Sequence, residues 1–339
     1  MIALRHRLLE LQLRHTFRIA RGASDTRENL LIELEDQNLI GLGEAAPNLR
    51  YGQDCRSAAR AVEVMAQAIE TPKIFDSTAA RAPVSDQSAA EAAVDMALRD
   101  LSGKRLDAPL YEVLGLDPGD TPPTSYTIGI DTPEMVVQKV READDFEVLK
   151  IKLGSENDRE ILEAVRDVTN RPLWVDANEG WIPEEAEALL VDLEALGVVL
   201  VEQPFPAGQN DATRELRRRS PLPIFADESV HRAEDIPALV ESFDGINIKL
   251  MKCGGIGEAL RMIAVARAHR MQIMLGCMVE SSLAITAAAH ISPLVDYADL
   301  DGNLLVTNDP FVGVRIVGGR LVLPDAPGLG VTPRTGAGQ

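Results

Sequence analysis

Five polar groups recur along the middle of the chain: Lys150-Ile151-Lys152, Val175-Asp176-Ala177-Asn178, Val201-Glu202-Gln203-Pro204, Ala226-Asp227-Glu228-Ser229 and Asn247-Ile248-Lys249. Asp176 follows Lys152 by 24 positions, Glu202 follows after 26, Asp227 after 25 and Lys249 after 22. Each interval fits one strand, one loop, one helix and one return loop, so every polar group falls where a strand ends. In a parallel α/β barrel all strand ends share one face, and separated residues become one site. Asp176, Glu202 and Asp227 then place three carboxylates together, which repel unless they are protonated or neutralised by a cation. A hard, oxygen-seeking divalent ion, most simply Mg2+, resolves that conflict. One acidic residue at a strand end is more often a helix cap or a solvated loop group; three in register point to a metal site.

The lysines flank the carboxylates. Lys150 and Lys152 alternate with Ile151, so on a barrel strand both point to the interior, where the carboxylates can partner them. Lys249 comes four strands after Lys152 in a ring of eight. The two ammonium groups therefore approach a central substrate from opposite sides, as a proton that leaves one face of a carbon and returns to the other requires. Close packing of cations is expected to lower a lysine's pKa toward that of a base.

The surrounding elements are those such a site needs. Short apolar strands read at 125–129, 147–152, 172–176, 198–202, 223–226, 244–249, 272–276 and 296–301, with amphipathic helices between them at Ser155–Val168, Pro183–Leu196 and Gly255–His269. Eight strands alternating with helices specify a closed barrel more readily than an open sheet. Before it, residues 2–14 and Asn29–Glu35 read as antiparallel strands around a polar loop, His15–Ser24. Helical spacing covers Cys55–Glu70 and Ser88–Leu101, with Ser102-Gly103 as a stop. After it, residues 314–323 carry a hairpin signal with a Gly-Gly turn, expected to return to the N-terminal unit. The expected division is 1–120 as an α+β unit, 121–305 as the barrel and 306–339 as the return.

Composition narrows the classes. The chain has 339 residues, 45% of them hydrophobic, and a formal net charge of -19. That charge argues against a nucleic-acid partner, because phosphate is repelled. No apolar run is long enough to span a bilayer, and the N-terminus lacks the order of a signal peptide, which makes the cytoplasm the expected location. Three cysteines, Cys55, Cys253 and Cys277, are too few and scattered for a disulfide framework or zinc cage, and read as buried free thiols. The five histidines form no metal-spaced set, and Cys253-Gly254-Gly255 reads as turn geometry.

These motifs resemble the enolase superfamily, in its muconate lactonizing enzyme branch and, within that, the dipeptide epimerases. The resemblance covers nearly the whole chain. It implies an enolase-type (β/α)-barrel with an α+β capping domain formed by the N-terminal region and the C-terminal return. It implies that Asp176, Glu202 and Asp227 hold Mg2+, that Lys152 and Lys249 are the acid and base, and that Lys150 helps hold the substrate carboxylate and tunes Lys152. Asp299 and Asp301 in Ala298-Asp299-Leu300-Asp301-Gly302 resemble the Asp-x-Asp pair with which dipeptide epimerases hold the substrate's α-ammonium group. Thr127, Cys277 and Arg21 match substrate-facing positions, Arg21 on a loop over the site where it could meet a substrate carboxylate. The implied substrate is a small dipeptide, by default L-Ala-D/L-Glu, with a role in reusing murein peptides. Epimerases for hydrophobic or cationic dipeptides, o-succinylbenzoate synthase and cycloisomerases share the constellation, and a noncatalytic peptide-binding barrel is the reading from another class. The sequence is compatible with a homo-oligomer.

Overall fold

Three antiparallel strands open the chain: β1 (Ala3–Ile19), β2 (Gly22–Asp36) and β3 (Leu39–Ala45), in that order in the sheet. The computed structural model describes residues 3–69 and 86–335. The expected polar loop at 15–24 is mostly strand, with Phe17 opposite Ser24, Arg18 opposite Ala23 and Ile19 opposite Gly22. None of these residues is buried, so their polarity reflects a hairpin that projects from the sheet, and only Ala20 and Arg21 form the turn.

Two helices follow, Cys55–Ala68 and Ser88–Leu106. Asp54 caps the first, accepting from the Ser57 amide, while Ser57 Oγ accepts from the Asp54 amide. Glu70, the expected end of that helix, lies outside the described residues. The second helix is buried from Ser88 to Gly103, and it passes closest to β3 at its alanines: a Cβ on Gly43 or Gly41 would come within 2.0 or 2.1 Å of the Ala93 or Ala97 carbonyl oxygen. The stop expected at Ser102-Gly103 is not one, because the helix continues to Leu106. Gly103 is there for space, since a Cβ on it would lie 2.6 Å from the Gly328 Cα.

Eight parallel strands then form one sheet: β4 (Ser125–Ile128), β5 (Val148–Lys152), β6 (Leu173–Asp176), β7 (Val198–Glu202), β8 (Ile224–Ala226), β9 (Gly245–Lys249), β10 (Gln272–Gly276) and β11 (Tyr297–Asp299). Their spatial order is their chain order. A parallel bridge from Thr124 to Ala298 brings the two edges together, and Thr124 Oγ1 accepts the Leu300 amide at 2.8 Å. This is the barrel expected from the alternation, with strand limits within two residues of those read from sequence.

Strand alternation builds the interior in layers. Val148, Trp174, Leu200, Phe225 and Met274 form an apolar plug, with Tyr297 packed edge-on against Trp174 and Phe225 at ring-centroid distances of 5.5 and 5.4 Å. Gly245 faces this plug, and a Cβ there would come within 2.4 Å of the Phe225 ring. Two residues further along, the same strand faces present Lys150, Asp176, Glu202, Asp227 and Asn247. The plug therefore seals the barrel beneath a polar layer.

The hairpin expected at 314–323 forms, pairing Arg315–Val317 with Arg320–Val322, but it does not return to the capping sheet. Gly319 O accepts the Thr124 amide at 2.8 Å, and Pro123 bridges Arg320, so the hairpin abuts the entry to β4. Flanking segments make the return instead: the Thr307 amide reaches Gln12 O, and the Leu329 amide reaches Asp100 Oδ1, each at 2.8 Å. Among the described residues, no helix is long and apolar enough to cross a membrane.

Candidate active site

Parallel pairing sets Lys152, Asp176 and Glu202 side by side at the ends of β5, β6 and β7. Asp227 follows β8 directly, and Lys249 ends β9. One carboxylate oxygen from each of Asp176, Glu202 and Asp227 can be chosen so that all three lie within 4.8 Å of one another. Arg21, Thr127, Lys152, Asp227, Lys249, Cys277, Asp299 and Asp301 line a single cavity between the barrel mouth and the capping strands. Lys150, Asp176 and Glu202 do not line it and are fully buried.

The charges are arranged in pairs. Lys152 Nζ donates to Asp176 Oδ2 at 2.6 Å, and Lys249 Nζ to Asp227 Oδ2 at 2.8 Å. Lys150 Nζ lies 2.6 Å from Glu202 Oε2 and 2.7 Å from Asp299 Oδ2. Burial alone would raise the Asp176 and Asp227 carboxyls, but the lysines overcome it and hold both below their ordinary value. Glu202 is pushed up, by burial and then by the Asp176 charge. Burial would lower Lys150 and Lys249, yet the carboxylates hold both well above the ordinary lysine value. The expected lowering by cation crowding is not found for these two, because each ammonium has carboxylates, and not another ammonium, as its nearest neighbours.

This donor set suits a divalent ion. Three hard oxygen ligands converge, and several buried acceptors around them have no hydrogen-bond partner: Glu202 Oε2, Asn178 Oδ1, Glu228 Oε2 and Asn247 Oδ1. Glu202 Oε2 has the Lys150 ammonium nearby but no directed hydrogen bond. A cation supplies what such oxygens lack.

Known proteins resemble this chain in sequence and fold. The mandelate racemase/muconate lactonizing enzyme N-terminal domain model matches residues 5–115, and the enolase C-terminal domain-like model matches residues 134–337. An L-Ala-D/L-Glu epimerase from Bacteroides thetaiotaomicron is 44% identical over 329 residues, covering 95% of this chain and 85% of its own length. The chain belongs to the enolase superfamily, among its dipeptide epimerases. A Cytophaga hutchinsonii dipeptide epimerase crystallised with Mg and D-Ala-L-Val superposes with a TM-score of 0.92 at 28% identity, covering 99% of this chain and 96% of that one. A substrate-liganded L-Ala-D/L-Glu epimerase from Bacillus subtilis gives a TM-score of 0.91 at 31% identity, covering 97% and 98%.

Within this superfamily member the remaining expected residues fall as follows. Asp299 and Asp301 stand together at the end of β11, with Ser125 Oγ donating to Asp299 at 2.7 Å and the Thr127 amide to Asp301 at 2.5 Å. Thr127 thus orients the acidic pair as well as facing the cavity. Cys277 is half-buried, and its thiol donates to Asp299 O at 3.3 Å; burial and neighbouring carboxylates push it well above the ordinary thiol value, which disfavours the thiolate. Cys55 and Cys253 are buried free thiols. Arg21 reaches the site, but its guanidinium is spent on protein acceptors: Glu228 Oε1 at 2.6 Å, Glu179 Oε2 at 2.8 Å and Asn178 O at 2.7 Å.

Sequence reasoning assigned no role to several participants. Asn247 donates to Glu202 Oε1 at 2.9 Å, and its alternation with Lys249 was the available signal. Lys252 pins Asp227 from the side opposite Lys249, through Asp227 Oδ1 and its carbonyl; only the helical turn Leu250–Cys253 brings it there. Glu228 and Glu179 anchor Arg21, a pairing that no sequence spacing announces.

Proposed function

We propose that this dipeptide epimerase inverts the α-carbon of the C-terminal residue of a dipeptide, with L-Ala-D/L-Glu as the substrate to test first. The observation that carries the reading is the placement of Lys152 and Lys249 on opposed strands, both facing one cavity at whose edge the buried carboxylate triad stands. Asp176, Glu202 and Asp227 would hold Mg2+, which supplies Lewis-acid stabilisation of the negative charge that develops on the substrate carboxylate when its α-proton leaves.

The protein groups do the rest. One lysine removes the α-proton from one face, and the other delivers a proton to the opposite face, so the configuration inverts. The direction of reaction decides which lysine acts as base. Asp299 and Asp301 offer negative charge on the barrel's last strand, where the substrate's α-ammonium group would dock. This pair also favours a dipeptide over succinylbenzoate-type substrates, which carry no amine. Phe17, Ile19, Val279 and Leu305 give the cavity an apolar wall that excludes water from the exchanging proton. A role in reusing murein-derived peptides accords with this substrate.

A dipeptide panel incubated with enzyme and Mg2+ in deuterated water tests the proposal. One deuteron should enter the C-terminal residue, with inversion, and chelator should stop it. No exchange from acidic, apolar or basic dipeptides would refute the assignment and direct attention to amine-free carboxylates.

A further inference from the structure

Four cationic side chains line the cavity: Arg21, Arg27, Lys152 and Lys249. Lys152 is paired with Asp176, Lys249 with Asp227, and Arg21 with Glu228 and Glu179. Arg27 has no ion pair or hydrogen bond among the described residues. Arg27 is exposed at the cavity; its partial desolvation there lowers its guanidinium from the ordinary value, with no carboxylate acting against that effect.

Its backbone is well fixed. Arg27 sits on β2 opposite Leu11, and Asn29, two residues on, faces the same side. Asn29 Nδ2 donates to Val279 O at 3.1 Å and to Glu44 Oε1 at 2.7 Å. That strand face therefore lies against the loop after β10, and Arg27 extends from it into the cavity beside Phe17, Ile19 and Val279. A planar, permanently charged fork held on a paired strand, with an apolar wall beside it, is suited to a carboxylate bound through two N–H groups.

The other substrate charges are already matched. The triad side of the cavity serves the α-carboxylate, and Asp299 and Asp301 serve the ammonium group. What remains is the side chain of the residue being inverted. We propose that Arg27 is the specificity-determining residue of this enzyme, pairing its guanidinium with a carboxylate on that side chain and so selecting acidic dipeptides. The proposal rests on the dipeptide epimerase reading and moves the anion-binding role from Arg21, whose donors are committed, to Arg27, whose donors are not.

The test is a selectivity ratio: kcat/KM for L-Ala-L-Glu divided by kcat/KM for the near-isosteric, neutral L-Ala-L-Gln. Wild type should favour the glutamate, and Arg27→Met should lower the ratio by about tenfold to a hundredfold, the worth of a charge-assisted hydrogen-bonded pair. The loss should appear mainly in KM for L-Ala-L-Glu, and Arg27→Lys should recover part of it. Arg27→Glu should turn the preference toward L-Ala-L-Lys. A ratio unchanged in Arg27→Met, or a wild type indifferent to the side-chain charge, would overturn the proposal while leaving dipeptide epimerisation intact. Absence of exchange from every dipeptide would instead overturn the underlying reading, and the proposal with it.

Discussion

Arg21 joins the tip of the first hairpin to the barrel by donating to Glu228 Oε1 across 2.6 Å. The Glu228 side chain is only 1% exposed, so water competes little for the pair. The same guanidinium holds Glu179, to which Arg50 also donates, at 2.8 Å to Oε1. Three elements distant in sequence are thereby tied over the cavity mouth. Arg21→Met leaves two buried carboxylates without this partner and should free the hairpin. Amide hydrogen exchange should quicken around Ala20–Gly22, and kcat/KM should fall by about tenfold for acidic and neutral dipeptides alike, the scale of one lost charged hydrogen bond. A loss confined to acidic dipeptides would show that Arg21 reads the side chain after all.

The opposed lysines make a sharper prediction. Lys152 ends β5 and Lys249 ends β9, so under the proposed reading each would meet a different face of the substrate's α-carbon. Lys152→Ala and Lys249→Ala should each reduce epimerisation by about 100- to 10,000-fold, the usual range for loss of a positioned acid or base. Each variant should still exchange the α-hydrogen of one diastereomer with deuterated solvent, and the two variants should retain opposite diastereomers. Mass spectrometry of the two substrate epimers reads this directly; equal exchange of both epimers by either variant would exclude the two-base assignment.

The barrel was legible because its signal is local. Apolar runs such as Leu173–Val175 end in a polar residue, and the spacing from Lys152 to Lys249 repeats a strand–helix unit, so Asp176, Glu202 and Asp227 could be placed from sequence. Contacts between distant segments were not legible. Arg21 and Glu228 are 207 positions apart, and nothing in either segment shows that the hairpin reaches that strand. Gly103 reads as a helix stop until Gly328 is seen against it. Lys150 looks equivalent to Lys152 in the Lys-x-Lys pattern, but depth in the barrel separates them: one lies in the polar floor against Glu202 and Asp299, the other at the cavity.

The acidic pair on β11 should give the reaction a pH limb. Lys150 counters burial at Asp299 and holds it below the ordinary value, whereas Asp301 is pushed up to about 7 by burial and by the Asp299 charge. Below that pH Asp301 is protonated and attracts an ammonium group less. kcat/KM should therefore fall as pH drops through about 7, approaching tenfold per unit at the limit of one essential ionisation. Asp301→Asn should lower kcat/KM across the range and remove this limb. Persistence of the same limb in the variant would assign the ionisation elsewhere, as coupling with Asp299 allows.

A second buried acid should govern stability more than catalysis. Glu280 follows the cavity wall and accepts the Met278 amide at 2.7 Å, in a region that also holds the buried Glu44. Burial, with Glu44 adding repulsion, pushes Glu280 from an ordinary 4.5 up to about 8, although the Met278 amide and Lys249 act the other way. Between those two values the folded chain keeps a proton that the unfolded chain releases. This contribution is fully present below about 4.5 and is lost as pH rises through about 8, with an upper bound on the order of 5 kcal/mol. Glu280→Gln keeps an acceptor for the Met278 amide and cannot ionise. Urea denaturation of both proteins at pH 5 and pH 8.5 should show wild type losing more stability than the variant over that interval. Equal losses would mean that Glu280 stays ionised in the folded protein, or relaxes to water when it does.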